Sequence, residues 1–239
     1  MRAKAIARVL PLVLALAGCG RSSGAKADAD SPARPEDVLD FHALYSTNCQ
    51  ACHGANGHNG PAMELGNPEY QALVDDATLR KWISGGMPGT EMPAFAQSAG
   101  GMLTDAQISA IIAGMRKEWS KPNAFAGSAP PPYAQNQTGD VKRGQQTYQA
   151  RCASCHETPS GQQVTSPAYL SLVSDQALRT IIIAGRTDIG QPDWAHDNPK
   201  GASGAPLSAQ DVTDIVTYLG SLRNLAAVSA APLPIPPRR

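Results

Sequence analysis

The sequence reads CQACH at residues 49–53 and CASCH at residues 152–156. These two C-x-x-C-H motifs hold four of the five cysteines in the 239-residue chain. Two cysteines at this spacing can form thioethers to the two vinyl groups of one haem, and the histidine that follows is then held beneath the iron as an axial ligand. We therefore predict two covalently attached c-type haems, bound by Cys49, Cys52 and His53 and by Cys152, Cys155 and His156.

Paired cysteines also serve as disulfide redox centres and as zinc ligands. Neither use requires a histidine directly after the second cysteine in both motifs. A thioredoxin-like site would also open a helix after a strand, and the sequence around both motifs lacks the alternation of a strand. Covalent haem is therefore the favoured interpretation.

The two motifs belong to two copies of one longer pattern. Residues 67–95 align with residues 166–194 over 29 positions without a gap. Upstream of this block, Tyr45 matches Tyr148 at the same offset as the motifs. The chain is therefore interpreted as a tandem duplication.

Both copies carry the signals of helices. Asp76 and Asp175 are predicted as N-caps of a helix whose apolar run stops at Gly86 or Gly185. Near the end of each copy, a threonine or serine is predicted to cap a last helix whose apolar residues recur at helical spacing and form core. These caps and core residues are Thr104, Ile108, Ile111, Ile112 and Met115 in the first copy, and Ser208, Val212, Ile215, Val216 and Leu219 in the second.

Both copies resemble class I cytochrome c domains. The resemblance covers residues 36–120 and 138–224, and the segment GTEMPAF at residues 89–95 is similar to the family's Met-Pro-Ala-Phe signature. It implies an all-α fold of two tandem class I cytochrome c domains, each wrapped round one covalent haem, and electron transfer as the function. It also implies that Met92 is the distal ligand of the first haem, with Met87 as the nearby competitor.

The loop GHNGP at residues 57–61 resembles the family loop whose proline carbonyl accepts the second N–H of the proximal histidine. Such a hydrogen bond fixes the imidazole and tunes the iron. The resemblance therefore implies that Pro61 orients His53. In the second copy the loop after Cys155 is four residues shorter and lacks the Gly-Pro pair.

The second copy lacks a methionine at the distal position. Met92 aligns with Gln191, and all six methionines of the chain lie at or before position 115. The candidates for the distal side of the second haem are Gln191 or a water bound to it, His196 in a longer loop, and a group from another segment or a partner. Because methionine raises the potential of haem iron, the second haem is predicted to be the low-potential centre.

The N-terminus has the pattern of an export signal. Three basic residues among the first eight precede the apolar run 9–17, which is far shorter than the roughly 20 residues of a membrane-spanning helix. The segment LAGC at residues 16–19 resembles the lipobox of bacterial lipoproteins, which implies lipidation of Cys19 and tethering to a membrane outside the cytoplasm. The alternative is an ordinary cleavage site with a coincidental cysteine.

The chain is thus predicted to divide into six segments. They are a lipoprotein signal peptide (1–18), a flexible tether (19–35), cytochrome c domain 1 (36–120), a Pro-rich linker (121–137), cytochrome c domain 2 (138–224) and a disordered tail (225–239). The prolines make the linker semi-rigid, and its composition is compatible both with domains that reposition and with domains that pack firmly.

The charges are distributed unevenly between the copies. Residues 36–120 hold ten acidic and four basic side chains, a net of −6, whereas residues 138–224 hold eight and seven, a net of −1. The first domain therefore favours redox protein partners with a basic docking surface, although a merely solvated acidic surface gives the same count. The formal net charge of zero gives no sign of a nucleic-acid partner.

The expected function is that of a membrane-tethered dihaem c-type cytochrome that carries electrons outside the cytoplasm, as a shuttle or as the haem subunit of a respiratory or dehydrogenase complex. The alternative is a haem enzyme, or a sensor of gas or peroxide, that uses the second haem. The carrier is favoured because no sequence beyond the two haem modules offers a substrate site. His42 and His58 match no ligand position of the family and are assigned no role.

Overall fold

The computed structural model describes residues 34–159, 163–196 and 205–223. In these ranges the chain forms ten α-helices, four short 3-10 helices and no β-strand, so the predicted all-α class is confirmed. The α-helices are α1 (Phe41–Asn48), α2 (Gln50–His53), α3 (Pro68–Leu73), α4 (Asp76–Gly85), α5 (Asp105–Trp119), α6 (Val141–Arg151), α7 (Ala153–His156), α8 (Pro167–Leu170), α9 (Asp175–Ala184) and α10 (Ala209–Ser221). The 3-10 helices are Pro35–Asp37, Ala55–Gly57, Gln97–Ala99 and Thr187–Ile189.

The helix α4 and its counterpart α9 begin one residue away from the predicted caps. The N-caps are Asp75 and Ser174 rather than Asp76 and Asp175, which are the first helical residues. Each true cap accepts a hydrogen bond from the backbone N–H three residues on, at 2.7 Å for Asp75 and 3.2 Å for Ser174. The acidic residues that follow instead lie in the first turn, where a negative charge is stabilised by the helix dipole.

The helix ends and the last helix of each copy form as predicted. Gly86 and Gly185 end α4 and α9 with φ of 74° and 78°, a conformation that favours glycine. Thr104 and Ser208 cap α5 and α10, and each closes a capping box. The predicted apolar stripes of both helices are buried in two hydrophobic clusters, one for each copy.

The first and last helices of each copy cross at a glycine. In the first copy α1 meets α5, and a Cβ added at Gly114 would lie 2.2 Å from the Phe41 ring. In the second copy α6 meets α10, and a Cβ added at Gly144 would lie 2.0 Å from the Asp214 carbonyl oxygen and 2.9 Å from Tyr218 Cβ. Position 41 corresponds to 144, and position 114 to 218. The first helix therefore carries the aromatic residue in the first copy and the glycine in the second, and the last helix carries the reverse.

The predicted linker, residues 121–137, packs against both copies. Tyr133 lies against the first hydrophobic cluster and accepts a hydrogen bond from Trp82 Nε1 at 2.8 Å. Phe125 lies against the second cluster, and the buried Arg179 donates to two linker carbonyls at 2.8–3.2 Å. The two copies and the linker belong to one compact unit, so the firmly packed arrangement is the one observed.

No helix in the described ranges is both long enough and apolar enough to cross a membrane. The predicted signal peptide (1–18), Cys19 and the tail (225–239) lie outside the described residues, as does nearly all of the predicted tether.

Candidate cofactor sites

The two C-x-x-C-H motifs adopt the same backbone turn. In the first, the N–H groups of Cys52 and His53 donate to the Cys49 carbonyl at 3.1 and 3.0 Å. In the second, the corresponding N–H groups donate to the Cys152 carbonyl at the same two distances. Short helices α2 and α7 thus bring two thiols and one imidazole together at each motif. The four cysteines of the motifs form no disulfide with one another, and the first of each pair is half-buried while the second is exposed.

Burial governs the protonation of the Cys49 thiol in the first motif. Burial, with a smaller contribution from Cys52, raises the pKa of the Cys49 thiol to about 12. This thiol is therefore protonated at neutral pH and lacks the lowered pKa of a redox-active cysteine. In the described ranges, no three His, Cys, Asp or Glu side chains form a group that could hold a metal ion.

The imidazole of His53 is fixed by a backbone carbonyl. His53 Nδ1 donates to the Met63 carbonyl oxygen at 2.8 Å, which leaves Nε2 as the nitrogen available to a metal. The prediction that Pro61 supplies this carbonyl is wrong. The Ala62 N–H donates to the Cys52 carbonyl at 2.9 Å, and this bond turns the chain so that the next carbonyl, that of Met63, faces the ring.

The predicted distal residue of the first copy lies in a tight turn. Met92 packs against the first hydrophobic cluster, as Cys49 does. The Met87 N–H donates to the Met92 carbonyl at 3.1 Å, and the Met92 N–H donates to Thr90 Oγ1 at 3.2 Å. A Cβ added at Gly86 would lie 2.8 Å from the Met92 carbonyl oxygen. This crowding and the hydrogen bonds fix the segment that carries the thioether.

The second copy repeats this turn with different side chains. The Arg186 N–H donates to the Gln191 carbonyl at 3.0 Å, and the Gln191 N–H donates back at 2.9 Å. Gln191 therefore occupies the place that Met92 occupies in the first copy. It lines a mostly apolar cleft together with Cys152, Cys155, His156, Ile182 and Leu207. A cleft with two thiols, an imidazole and apolar walls fits one covalent haem.

His196, the other predicted distal candidate, lines the same cleft. Its Nδ1 donates to Asp193 Oδ1 at 2.8 Å, and the same oxygen accepts the backbone N–H of His196 at 3.1 Å. The His196 side chain is 74% exposed. The structure thus places both Gln191 and His196 beside the second motif, and Arg151 lines the cleft as well.

A buried polar cluster that was not predicted from the sequence joins the two copies. Glu64 is 1% exposed and accepts hydrogen bonds from His58 Nδ1 at 2.7 Å and from Thr187 Oγ1 at 3.2 Å. Asn67 Nδ2 donates to Glu64 at 3.4 Å and to the Ala184 carbonyl at 3.0 Å. His58, to which no role was assigned, is thus one of the partners that satisfy a buried carboxylate.

The second half of the cluster is an ion pair of the second copy. Arg186 and Asp188 form two hydrogen bonds of 2.9 Å, and their side chains are 8% and 1% exposed. Arg186 Nη2 also donates to the Gly60 carbonyl at 2.8 Å, and the Asn59 N–H donates to Asp188 at 2.7 Å. Burial works to raise the pKa of Asp188, but the hydrogen bonds from Arg186 and Asn59 outweigh it and hold that pKa below its ordinary value.

The alignment contained one signal of this pair. Arg186 stands where the first copy has Met87, and Asp188 stands where it has Gly89. These two opposite charges stand at positions that are uncharged in the other copy, and they make contacts specific to the second copy.

Comparison with protein-family models gives a match in each copy. Residues 141–223 match the family described as cytochrome c, and residues 36–113 match the family described as cytochrome C oxidase, cbb3-type, subunit III. The two matched ranges follow one another along the chain and each contains one C-x-x-C-H motif.

Curated relatives match over longer or shorter stretches. The cytochrome bc1 complex cytochrome c subunit of Mycobacterium tuberculosis is 27% identical over 181 residues, which is 74% of this chain and 60% of the relative. Dihydro-heme d1 dehydrogenase of Pseudomonas aeruginosa is 34% identical over 105 residues, 43% of this chain and 18% of the relative. The chain therefore spans less than two thirds of the length of either relative. Among solved structures, the KustC0563 c-type cytochrome is 26% identical with a TM-score of 0.30, covering 34% of this chain and 99% of that chain.

Proposed function

The chain belongs to the cytochrome c family, with two cytochrome c domains in tandem, and from this premise we propose that it is a dihaem electron carrier tethered to a membrane outside the cytoplasm. The single observation that carries the proposal is the pair of matching turns, each with two cysteines and a histidine at the same spacing and with the same hydrogen bonds. We propose domain boundaries at residues 36–120 and 138–224, joined by the linker 121–137.

Each turn holds one haem in this proposal. Cys49 and Cys52 in the first domain, and Cys152 and Cys155 in the second, would hold the haems through thioethers, and the histidine after each pair would bind the iron. A bound haem supplies an iron that accepts and releases one electron. The protein contributes attachment, burial and orientation, and in the first domain the Met63 carbonyl orients His53 by accepting its Nδ1–H.

The distal sides differ between the two haems. Met92, in its hydrogen-bonded turn, would bind the first iron through its thioether, and such a donor raises the potential of haem iron. The second cleft offers Gln191 and His196 instead. A nitrogen or oxygen donor leaves the potential lower, so the second site would accept electrons and the first would pass them on.

The tether and the partners are also proposals. Lipidation at Cys19, followed by the predicted flexible segment, holds the carrier at a membrane surface, as the lipobox-like LAGC segment suggests. One relative is a cytochrome bc1 complex cytochrome c subunit, which supports a role as a shuttle or as the haem subunit of a respiratory complex. The net charge of −6 on residues 36–120 favours a redox partner with a basic surface.

The test is the haem content and redox behaviour of the exported protein. Intact mass is expected to show two haems on one chain, and both are expected to be reduced and reoxidised reversibly. A chain with one haem or none would contradict the proposal. Replacement of Cys19 by serine is expected to abolish membrane association while both haems stay attached, and unchanged association would contradict the lipid anchor.

A second candidate function follows from the cleft of the second domain. His196 and Asp193 form a hydrogen-bonded pair beside Gln191, and such a pair can hold or deliver a proton to a small ligand. A haem enzyme or a sensor of gas or peroxide would use this arrangement. Carbon monoxide binding to one of the two reduced haems would favour this candidate, and no binding to either would favour a carrier with two firmly ligated irons.

A further inference from the structure

The second domain contacts the loop that orients the proximal histidine of the first haem. We propose that Arg186 and Asp188 are positioning residues which set the reduction potential of the haem attached to the other domain. The proposal deepens the proposed function and rests on haem attachment at His53 and its two cysteines.

Hydrogen bonds from the second domain hold two adjacent residues of the loop that orients His53. Arg186 Nη2 donates to the Gly60 carbonyl at 2.8 Å, and the Asn59 N–H donates to Asp188 at 2.7 Å. Three residues after Gly60, the Met63 carbonyl accepts the Nδ1–H of His53 at 2.8 Å. The second domain therefore holds the segment on which the orientation of the imidazole depends.

The next residue of the same loop is fixed from the second domain as well. Glu64 accepts from Thr187 Oγ1 at 3.2 Å and from the Asp188 N–H at 3.4 Å, while His58 of its own loop donates at 2.7 Å. Because Glu64 is 1% exposed, these partners satisfy a carboxylate that water does not reach. Movement of the turn away from the loop would leave that carboxylate poorly satisfied, so the contact is strongly held.

The charge of Arg186 lies beside the loop that orients His53, since its Nη2 donates to the Gly60 carbonyl at 2.8 Å. The guanidinium is 8% exposed, so its field is weakly screened by solvent. A positive charge near a haem favours the reduced iron, which carries one positive charge less, and a negative charge favours the oxidised iron.

The same turn reaches the second haem. Its last residue, Gln191, is tied to Arg186 by the two backbone hydrogen bonds and lines the cleft beside His156. A single segment of six residues thus contacts the proximal side of the first site and the distal side of the second. This placement makes the two haems one coupled unit rather than two independent centres.

The experiment is a redox titration of the full-length holoprotein and of two single variants. Arg186→Gln leaves Asp188 as a buried negative charge, so the first haem's potential is expected to fall. Asp188→Asn leaves Arg186 as a buried positive charge, so that potential is expected to rise. Each shift is expected to reach about tenfold in the reduction equilibrium, or about 59 mV for a one-electron couple. Arg223→Gln removes another partly buried, ion-paired arginine of the second domain and is the matched control, expected to shift neither haem by a comparable amount.

Shifts of opposite sign in the two variants would indicate electrostatic tuning of the potential. Simple loosening of the interface would shift the potential in the same direction in both variants. Shifts of the same sign in both variants, or shifts no larger than that of the Arg223→Gln control, would overturn the proposal. Arg186→Lys keeps the positive charge, so its potential is expected to stay within the shift of the Arg223→Gln control. If Arg186→Gln does not fold, the contrast between an unshifted Arg186→Lys and a raised Asp188→Asn carries the test. The haem count of each variant, measured by intact mass, separates the outcomes: two haems with unshifted potentials refute this inference, whereas a missing haem in the wild type refutes the proposed function.

Discussion

The two domains use one backbone turn for different purposes. In the first domain the turn from Met87 to Met92 presents a thioether, and its closing hydrogen bond is 3.1 Å long. In the second domain the matching turn from Arg186 to Gln191 closes at 3.0 Å, but its charged side chains face the first domain. The two turns share one backbone geometry but differ in their side chains, and only the second turn carries charges that contact the neighbouring domain.

The helix crossings also combine a shared backbone arrangement with different side chains in the two domains. Phe41 and Gly114 fill the crossing in the first domain, and Gly144 and Tyr218 fill it in the second. Each crossing admits one aromatic residue and one glycine, whichever helix supplies them. The shared requirement is the summed volume at the contact, which accords with the close packing of protein interiors.

The largest expected effect is loss of one haem from one domain. Replacement of Cys152 and Cys155 by serine is expected to give a chain with a single haem that keeps the first domain's spectrum, since each turn attaches its own group. The matched variant replaces Cys49 and Cys52, and should keep only the second domain's spectrum. Intact mass and absorbance check both, and two haems on either variant would contradict independent attachment.

The next effect tests the exchange at the helix crossings. Gly114→Tyr places a second ring in the first crossing and is expected to destabilise the chain by about 1–3 kcal/mol or more. Addition of Phe41→Gly reproduces the arrangement of the second domain, so the two changes are expected to couple favourably by about 0.5–3 kcal/mol. Urea unfolding of the holoprotein measures both. Gly85→Ala is the control, because no atom lies within 4 Å of the added Cβ, and additive effects in the double variant would refute the exchange.

A smaller effect distinguishes the domains by pH. Burial works to raise the pKa of Asp214, but hydrogen bonds from Arg143, from the Asp140 N–H and from Gln210 hold it below the ordinary value. The stabilisation from this carboxylate is therefore present above its unfolded pKa of about 4 and is lost as the pH falls through the lower folded value. The first domain has Ala110 at this position.

The Asp214→Asn variant is expected to lose about 1–3 kcal/mol at neutral pH and to lose less in acid, where the wild-type carboxylate is itself protonated. Urea unfolding at a series of pH values gives this comparison. A difference between wild type and variant that stays constant down to the acid end would show that the charge of Asp214 is not the source of the stability.

The smallest effect concerns the caps that both domains share. Thr104→Ala and Ser208→Ala each remove a capping box from the last helix, and each is expected to cost about 1 kcal/mol. Ser46→Ala, at an exposed site within α1, is the control. A clearly unequal cost for the two caps in thermal or urea unfolding would show that the last helices are not equivalent.

Local patterns were sufficient to predict much of the fold. The glycine ends, the capping boxes and the apolar stripes depend on neighbouring residues, and the structure agrees with each of them. The caps of α4 and α9 were misplaced by one residue, because two polar residues in succession can each serve as a cap and only the hydrogen bonds distinguish them.

Contacts between distant segments were not predictable in the same way. The choice of the Met63 carbonyl over that of Pro61 depends on how the loop turns back on Cys52, which no pattern of residue types encodes. The burial of Glu64 depends on partners more than 120 positions away, and these exist only once the two domains are packed together. The alignment marks Arg186 as unusual, but it does not show what the side chain contacts.

Our main proposal is that Met92 binds the iron of the first haem and that the second haem has no methionine ligand. It is tested most directly by a redox titration of the full-length holoprotein in which the methionine-to-iron charge-transfer band of the oxidised protein is followed with the haem spectrum. The account predicts two separate one-electron transitions, with the band lost only during the transition at the higher potential. A single potential shared by both haems, or loss of the band during the transition at the lower potential, would contradict it.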